Sequence, residues 1–134
     1  MSQLLSGQDE FNALHTYLNL NMETRRILRS LCLHDVTILK FSANWCQPCK
    51  NLSREIARDV ENSPELYKNV FIVEINVDDE SSQDITTKYE VSSIPLCVVI
   101  PNQVSDKIIE AANPVRIVGC KLQQIRNAIA ECQK

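Results

Sequence analysis

Trp45-Cys46-Gln47-Pro48-Cys49-Lys50 sets two thiols two residues apart, directly after the apolar run Val36-Thr37-Ile38-Leu39-Lys40-Phe41-Ser42-Ala43. A helical pattern begins at Cys49, so the segment reads as a strand, a turn and a helix with both sulfurs at the junction. Cysteines at this spacing can close a small disulfide ring and reopen it. The unpaired backbone N–H groups of a helix N-terminus favour thiolate there. Pro48 falls in the first turn, where a missing N–H costs nothing and the fixed φ is already helical. Gln47 is chemically neutral, and Trp45 offers an apolar wall beside the sulfurs on which a partner protein can pack. The segment therefore reads as a dithiol redox site.

A zinc half-site is the competing reading. Zinc takes four ligands, and Cys32, Cys97, Cys120, Cys132, His15 and His34 include no second close pair at knuckle spacing. No metal is assigned. No cofactor is expected either, since a thiol pair carries electrons itself and no glycine-rich nucleotide loop is present.

A chain of 134 residues can bury a core without staples, and two glycines and five prolines leave no room for long flexible linkers. One domain over residues 1–134 is expected. The net charge of −3 is mixed along the chain, which gives no footprint for nucleic acid or an anionic membrane. Residues 1–6 lack a basic start and a sustained apolar core, and no later apolar run approaches membrane-spanning length. The expected location is a reducing cytosol, with the nucleus as the alternative. Six cysteines there are thiols with one reactive pair rather than a structural disulfide framework.

Ser2 to Leu5 reads as a short edge strand, and Phe11, Leu14 and Leu18 repeat at helical spacing behind an N-cap around Ser6. Met22 to Leu33 reads as a second helix with Ile27, Leu28 and Leu31 on its apolar side. Its basic face, Arg25, Arg26 and Arg29, reads as solvated surface. The strand Val36 to Ala43 is apolar nearly throughout, as for a strand covered on both faces, with Lys40 as the exception. Leu52, Ile56 and Val60 then recur with a helical period up to Ser63-Pro64. Val70 to Val77 is a second apolar strand, Ser82 to Glu90 a helix, and Leu96 to Ile100 a third strand. Strand, helix, strand and helix imply a parallel crossover with the thiols at the carboxyl end of the first strand. Pro95, just before a strand, belongs in a tight turn where a cis bond is permitted. Pro101 to Pro114 is a polar connection, Val115 to Val118 a short final strand, and Gly119 leads into a helix striped by Leu122, Ile125, Ile129 and Cys132.

These segments together resemble the thioredoxin family. The resemblance is carried by residues 40–50, Val73-Glu74-Ile75-Asn76-Val77-Asp78, Lys88-Tyr89-Glu90-Val91-Ser92-Ser93-Ile94-Pro95 and Val118-Gly119, in the family's order. It implies an α/β thioredoxin fold, a central mixed sheet flanked by helices, with Pro95 cis after Ile94 and facing the thiols. It also implies that Cys46 attacks a substrate disulfide and that Cys49 resolves the mixed disulfide. Implied partners are disulfide-containing proteins and a thioredoxin reductase or other thiol electron donor, with the protein acting as a monomer.

Some residues depart from the family pattern. Gln47 stands where thioredoxins usually carry Gly, and Leu96 where they carry Thr, which predicts a bulkier and less polar groove. The segments near 20–33 and 101–114 look like insertions. Lys40 stands where the family places a buried Asp that helps take the resolving thiol's proton. A charged Lys40 would instead favour thiolate and a more oxidising couple, whereas without a partner its own pKa would fall and the neutral amine could accept a proton. Glu74, on the strand expected next door, is the candidate counter-charge for a reversed buried ion pair. The alternative is a Lys40 stem that reaches solvent.

Cys97, Cys120 and Cys132, with Cys120 and Cys132 placed on the last helix, read as small buried hydrophobes, as does Cys32. His15 has no nucleophile or ligand partner at a telling spacing, and His34 reads as a helix-end or loop histidine. The leading function is a protein dithiol–disulfide reductase using Cys46 and Cys49. The alternative is a redox-weak binding or scaffold subunit of the same fold, favoured by Lys40, Gln47 and the insertions.

Overall fold

The computed structural model describes residue 27 and residues 34–104, 109–111 and 114–133. The strand and helix expected before residue 22, and the helix of residues 22–33 apart from Ile27, lie outside the described residues.

Strand β1 (Val36–Ser42) is buried along its whole length, as a mainly apolar strand covered on both faces should be, and it carries Thr37, Lys40 and Ser42 inside with it. It leads through a short turn into helix α1 (Gln47–Asn62). The chain returns in β2 (Val70–Asn76), which lies parallel to β1 in the register Val36↔Val70 to Ser42↔Asn76. A 3-10 turn at Glu80–Ser82 and helix α2 (Gln83–Lys88) lead to β3 (Leu96–Val104). β3 runs antiparallel to β1, and β5 (Val115–Val118) antiparallel to β3, so the central sheet is mixed in the order β2-β1-β3-β5. Helix α3 (Leu122–Cys132) closes the described chain.

Alternation along β1 sends its side chains to two cores. Val36 and Ile38 pack with Leu52 and Ile56 of α1 and with Ile125, Ala128 and Ile129 of α3. Leu39 and Phe41 face the other way, against Ile27, Ile85, Val73 and Ile75. Each such aliphatic or aromatic side chain contributes roughly 1.5–3 kcal/mol on burial.

Three expectations change. β3 does not stop at Ile100: it continues through Pro101 to Val104 and pairs with β4 (Ile109–Ala111) in the register Asn102↔Ala111 to Val104↔Ile109. β1 begins opposite Pro101, so the missing proline N–H falls at the margin of that pairing, and the polar connection supplies its own short hairpin strand. Val60 is 37% exposed rather than part of the stripe, because positions four apart drift by about 40° round a helix and the third is turned off the sheet. Cys120 precedes α3 and is exposed, since the bend after Gly119 turns it outward before the helix begins.

Candidate active site

Cys46 is the N-cap of α1, with extended backbone angles (φ −88°, ψ 104°). Its Sγ accepts a hydrogen bond from the backbone N–H of Cys49 at 3.2 Å, one of the donors a helix start leaves unpaired. The turn is closed by the Cys46 N–H donating to Ala43 O at 3.1 Å, and the Lys50 N–H begins the helical ladder on Cys46 O. Cys46 and Cys49 are joined as a disulfide, with Cα atoms 5.3 Å apart. Both are buried, at 4% and 2% exposure, and they pack with Ala43, Val77 and Ile94. Pro48 lies in the first turn of α1, as its ring requires. Gln47 is exposed and donates to Asn51 Oδ1, which also accepts from Arg54.

The Ile94–Pro95 bond is cis. Ile94 packs against the two cysteines, while Pro95 is buried and its carbonyl accepts from the Gly119 N–H at 2.9 Å. Gly119 sits at φ +92°, a backbone region in which other residues are strained, and so lets the chain after β5 turn back onto the Pro95 loop. Leu96 is 1% exposed and belongs to the second core, so its apolar bulk fills that core and adds nothing to the exposed surface.

Trp45 is 71% exposed, and its Nε1 donates to Asp78 Oδ2 at 2.9 Å. The indole is tethered to the residue two places beyond the end of β2 and stays largely in solvent. Lys40 is 1% exposed, and its Nζ lies 2.9 Å from Glu74 Oε1, an acceptor shared with the Ser42 hydroxyl at 2.9 Å. The pair is one-sided: the Glu74 side chain is 57% exposed. The Lys40 stem does not snorkel out to water; its carboxylate partner comes from the neighbouring strand, where the parallel register sets Lys40 opposite Glu74.

Cys97 lies on Lys40's other side, its register partner on β3. Desolvation pushes its thiol up to about 12, the Lys40 charge opposing, so it stays protonated near neutrality. Cys120, by contrast, is exposed, and its Sγ donates to Pro48 O at 3.0 Å, which brings a third thiol to the redox turn. Sequence spacing gave no signal for this contact, nor for Ser42 and Asp78. Among the described residues no group of His, Cys, Asp or Glu is arranged to hold a metal ion, and no helix is long and apolar enough to cross a membrane.

A dithiol at a helix N-cap, next to a cis-proline turn at the carboxyl end of a central strand, is matched by the thioredoxin family model over residues 24–123. The chain belongs to the thioredoxin family. It is 39% identical over 67 residues to a thioredoxin of Borreliella burgdorferi, covering 48% of this chain and 50% of that protein. It is 36% identical over 70 residues to a thioredoxin of Mycoplasma genitalium, covering 52% and 63%. The matches thus span about half to two thirds of those thioredoxins' own length. The solved structure of Trichomonas vaginalis thioredoxin superposes with a TM-score of 0.63 at 21% identity, over 84% of this chain and 92% of that one, and shows the same fold.

Proposed function

We propose that the protein is a thiol–disulfide oxidoreductase that reduces protein disulfides through Cys46 and Cys49. The reading is carried by one observation: the two sulfurs form a disulfide with Cys46 at the N-cap of α1. In the reduced state the Cys46 thiolate attacks one sulfur of a substrate disulfide. That S–S bond breaks, one substrate sulfur leaves as thiolate, and a mixed disulfide forms on Cys46. Cys49, its proton given to solvent, then attacks Cys46 Sγ and expels the second substrate thiolate. The substrate gains two electrons and the protein becomes the disulfide. Cys46 is the nucleophile because it is the cap, where the helix dipole and a backbone N–H favour negative charge; Cys49 lies inside the first turn.

The cycle restarts when a thiol donor, a thioredoxin reductase or a small dithiol, reduces the Cys46–Cys49 bond. A reducing compartment such as the cytosol and a monomeric state fit this cycle. The test is turnover of a disulfide-bonded protein by dithiothreitol with catalytic amounts of wild type, Cys46→Ser and Cys49→Ser, each checked for folding. Turnover by wild type that falls at least about 100-fold in both variants is expected. A folded wild type with no turnover would leave the fold as a binding subunit.

A further inference from the structure

We propose that the Lys40–Glu74 pair poises the dithiol as a comparatively oxidising couple, so that its substrates are strained or exposed protein disulfides rather than buried structural ones. The proposal rests on the oxidoreductase reading above. Its starting observation is an imbalance of exposure: the Lys40 side chain is 2% exposed and that of its counter-ion 57%. Water screens Glu74 far more than Lys40, so the ammonium's field inside the fold is only partly cancelled.

Two routes of packing connect Lys40 to the thiols, one through α1 and one along β1. Lys40, Ser53 and Ile56 line one cavity of about 380 Å³ between β1, β2 and α1, which Glu61 and Glu74 also line. Ser53 follows Cys49 by one helical turn on the same face of α1, about 6 Å along the axis. Ala43, three residues beyond Lys40, packs on both cysteines. Among the described residues, the charged and titratable groups around Lys40 are thus Glu74 from β2, Cys97 from β3 and Glu61 from α1; α3 contributes none to the cavity.

A unit positive charge at roughly 10 Å, in a medium of effective dielectric about 20, favours a thiolate by about tenfold. The thiolate exists only in the reduced protein, whereas the disulfide is neutral. Stabilising it raises the reduction potential, and a couple so raised reduces disulfides of high potential, which are the strained and exposed ones. Lys40 is a positioning residue in this scheme and touches no reacting atom.

The test is the equilibrium of the full chain with a reduced and oxidised glutathione buffer at neutral pH, for wild type, Lys40→Met and Glu74→Gln. Ultraviolet titration of the reduced Cys46 thiolate and dithiothreitol turnover are followed on the same samples. Lys40→Met is expected to lower the equilibrium constant for reducing the protein severalfold, up to tenfold, which is about 30 mV. In stoichiometric exchange between the reduced protein and a folded substrate, the equilibrium constant for reducing a buried substrate disulfide rises by the same factor. Glu74→Gln, at an exposed position, is expected to shift both quantities the opposite way. Turnover with equilibrium constants that agree within twofold, or that move in one direction for both variants, would overturn the proposal alone. Absent turnover in all three proteins would overturn the oxidoreductase reading and this proposal with it.

Discussion

Lys40 carries a full side chain of buried polar matter in the middle of an apolar strand, and its stability effect follows from what each substitution leaves behind. Glu74→Ala removes the carboxylate and leaves a desolvated ammonium without its acceptor, while solvent in the adjoining cavity recovers part of the loss. A destabilisation of about 1–2 kcal/mol is expected, set between the costs of exposed and buried charged hydrogen bonds. Lys40→Met replaces the ammonium with an apolar group of similar length and is expected to be neutral or stabilising. Denaturant unfolding of the oxidised proteins checks the contrast, and Lys40→Met as the more damaging change would contradict it. At this scale the sequence told a great deal about Lys40, since a cation inside Val36 to Ala43 stands out on hydropathy alone. Ser42 and Asp78 were not legible, because a serine at a strand end and an aspartate after one look the same whether or not they hold a partner.

Elements are tied to one another at two points that govern stability. Gly119 links β5 to the Pro95 turn through its N–H, and a Cβ built there meets nothing within 4 Å, so the cost of Gly119→Ala is conformational only. A loss of about 1–2 kcal/mol is expected in thermal or denaturant unfolding, from a non-glycine residue at φ +92°. Asp59 near the end of α1 accepts from the Tyr67 hydroxyl at 2.6 Å and is ion-paired with Arg126 of α3, which fastens the two helices that cover one face of the sheet. Desolvation opposes ionisation of Asp59, but these two donors and the Arg126 charge outweigh it and hold its carboxyl below the usual range. Asp59→Asn should destabilise at neutral pH and abolish part of the acid sensitivity described next. The helices and inner strands were readable from period and hydropathy. β4 was not: Ile109-Glu110-Ala111 is too short to show a pattern, and it is a strand because β3 runs on past β1 and offers it an edge.

The pH profile belongs to the whole molecule. Asp59 has a folded pKa below its unfolded value, so its contribution is complete above the unfolded value near 3.8 and is lost as pH falls through the folded one. Cys97 has the opposite sign: it ionises near 9.0 in the unfolded chain and at about 12 in the fold, so the native state binds more protons between these values and stability declines as pH rises through that window. Desolvation, then its bond to Asp59, raises Tyr67 in the same direction. Unfolding free energy of the oxidised protein should therefore be flat near neutrality and fall on both sides, with the alkaline limb shallower in Cys97→Ala measured against its own neutral value. The family and its mixed sheet were legible because Cys46, Cys49, Ile94-Pro95 and Gly119 recur in one order. The third thiol was not, because the position of Cys120 relative to Pro48 is fixed only when β5 docks on β3.

The most direct test of the dithiol cycle is to trap its intermediate. Reduced Cys49→Ser, mixed with a disulfide-bonded protein, quenched in acid and digested, is read by mass spectrometry for the residue that carries the substrate sulfur. The account predicts one stable mixed disulfide on Cys46 of the variant, which does not accumulate in wild type because Cys49 discharges it in cis. No adduct, or an adduct on Cys120 with Cys46 free, would contradict it.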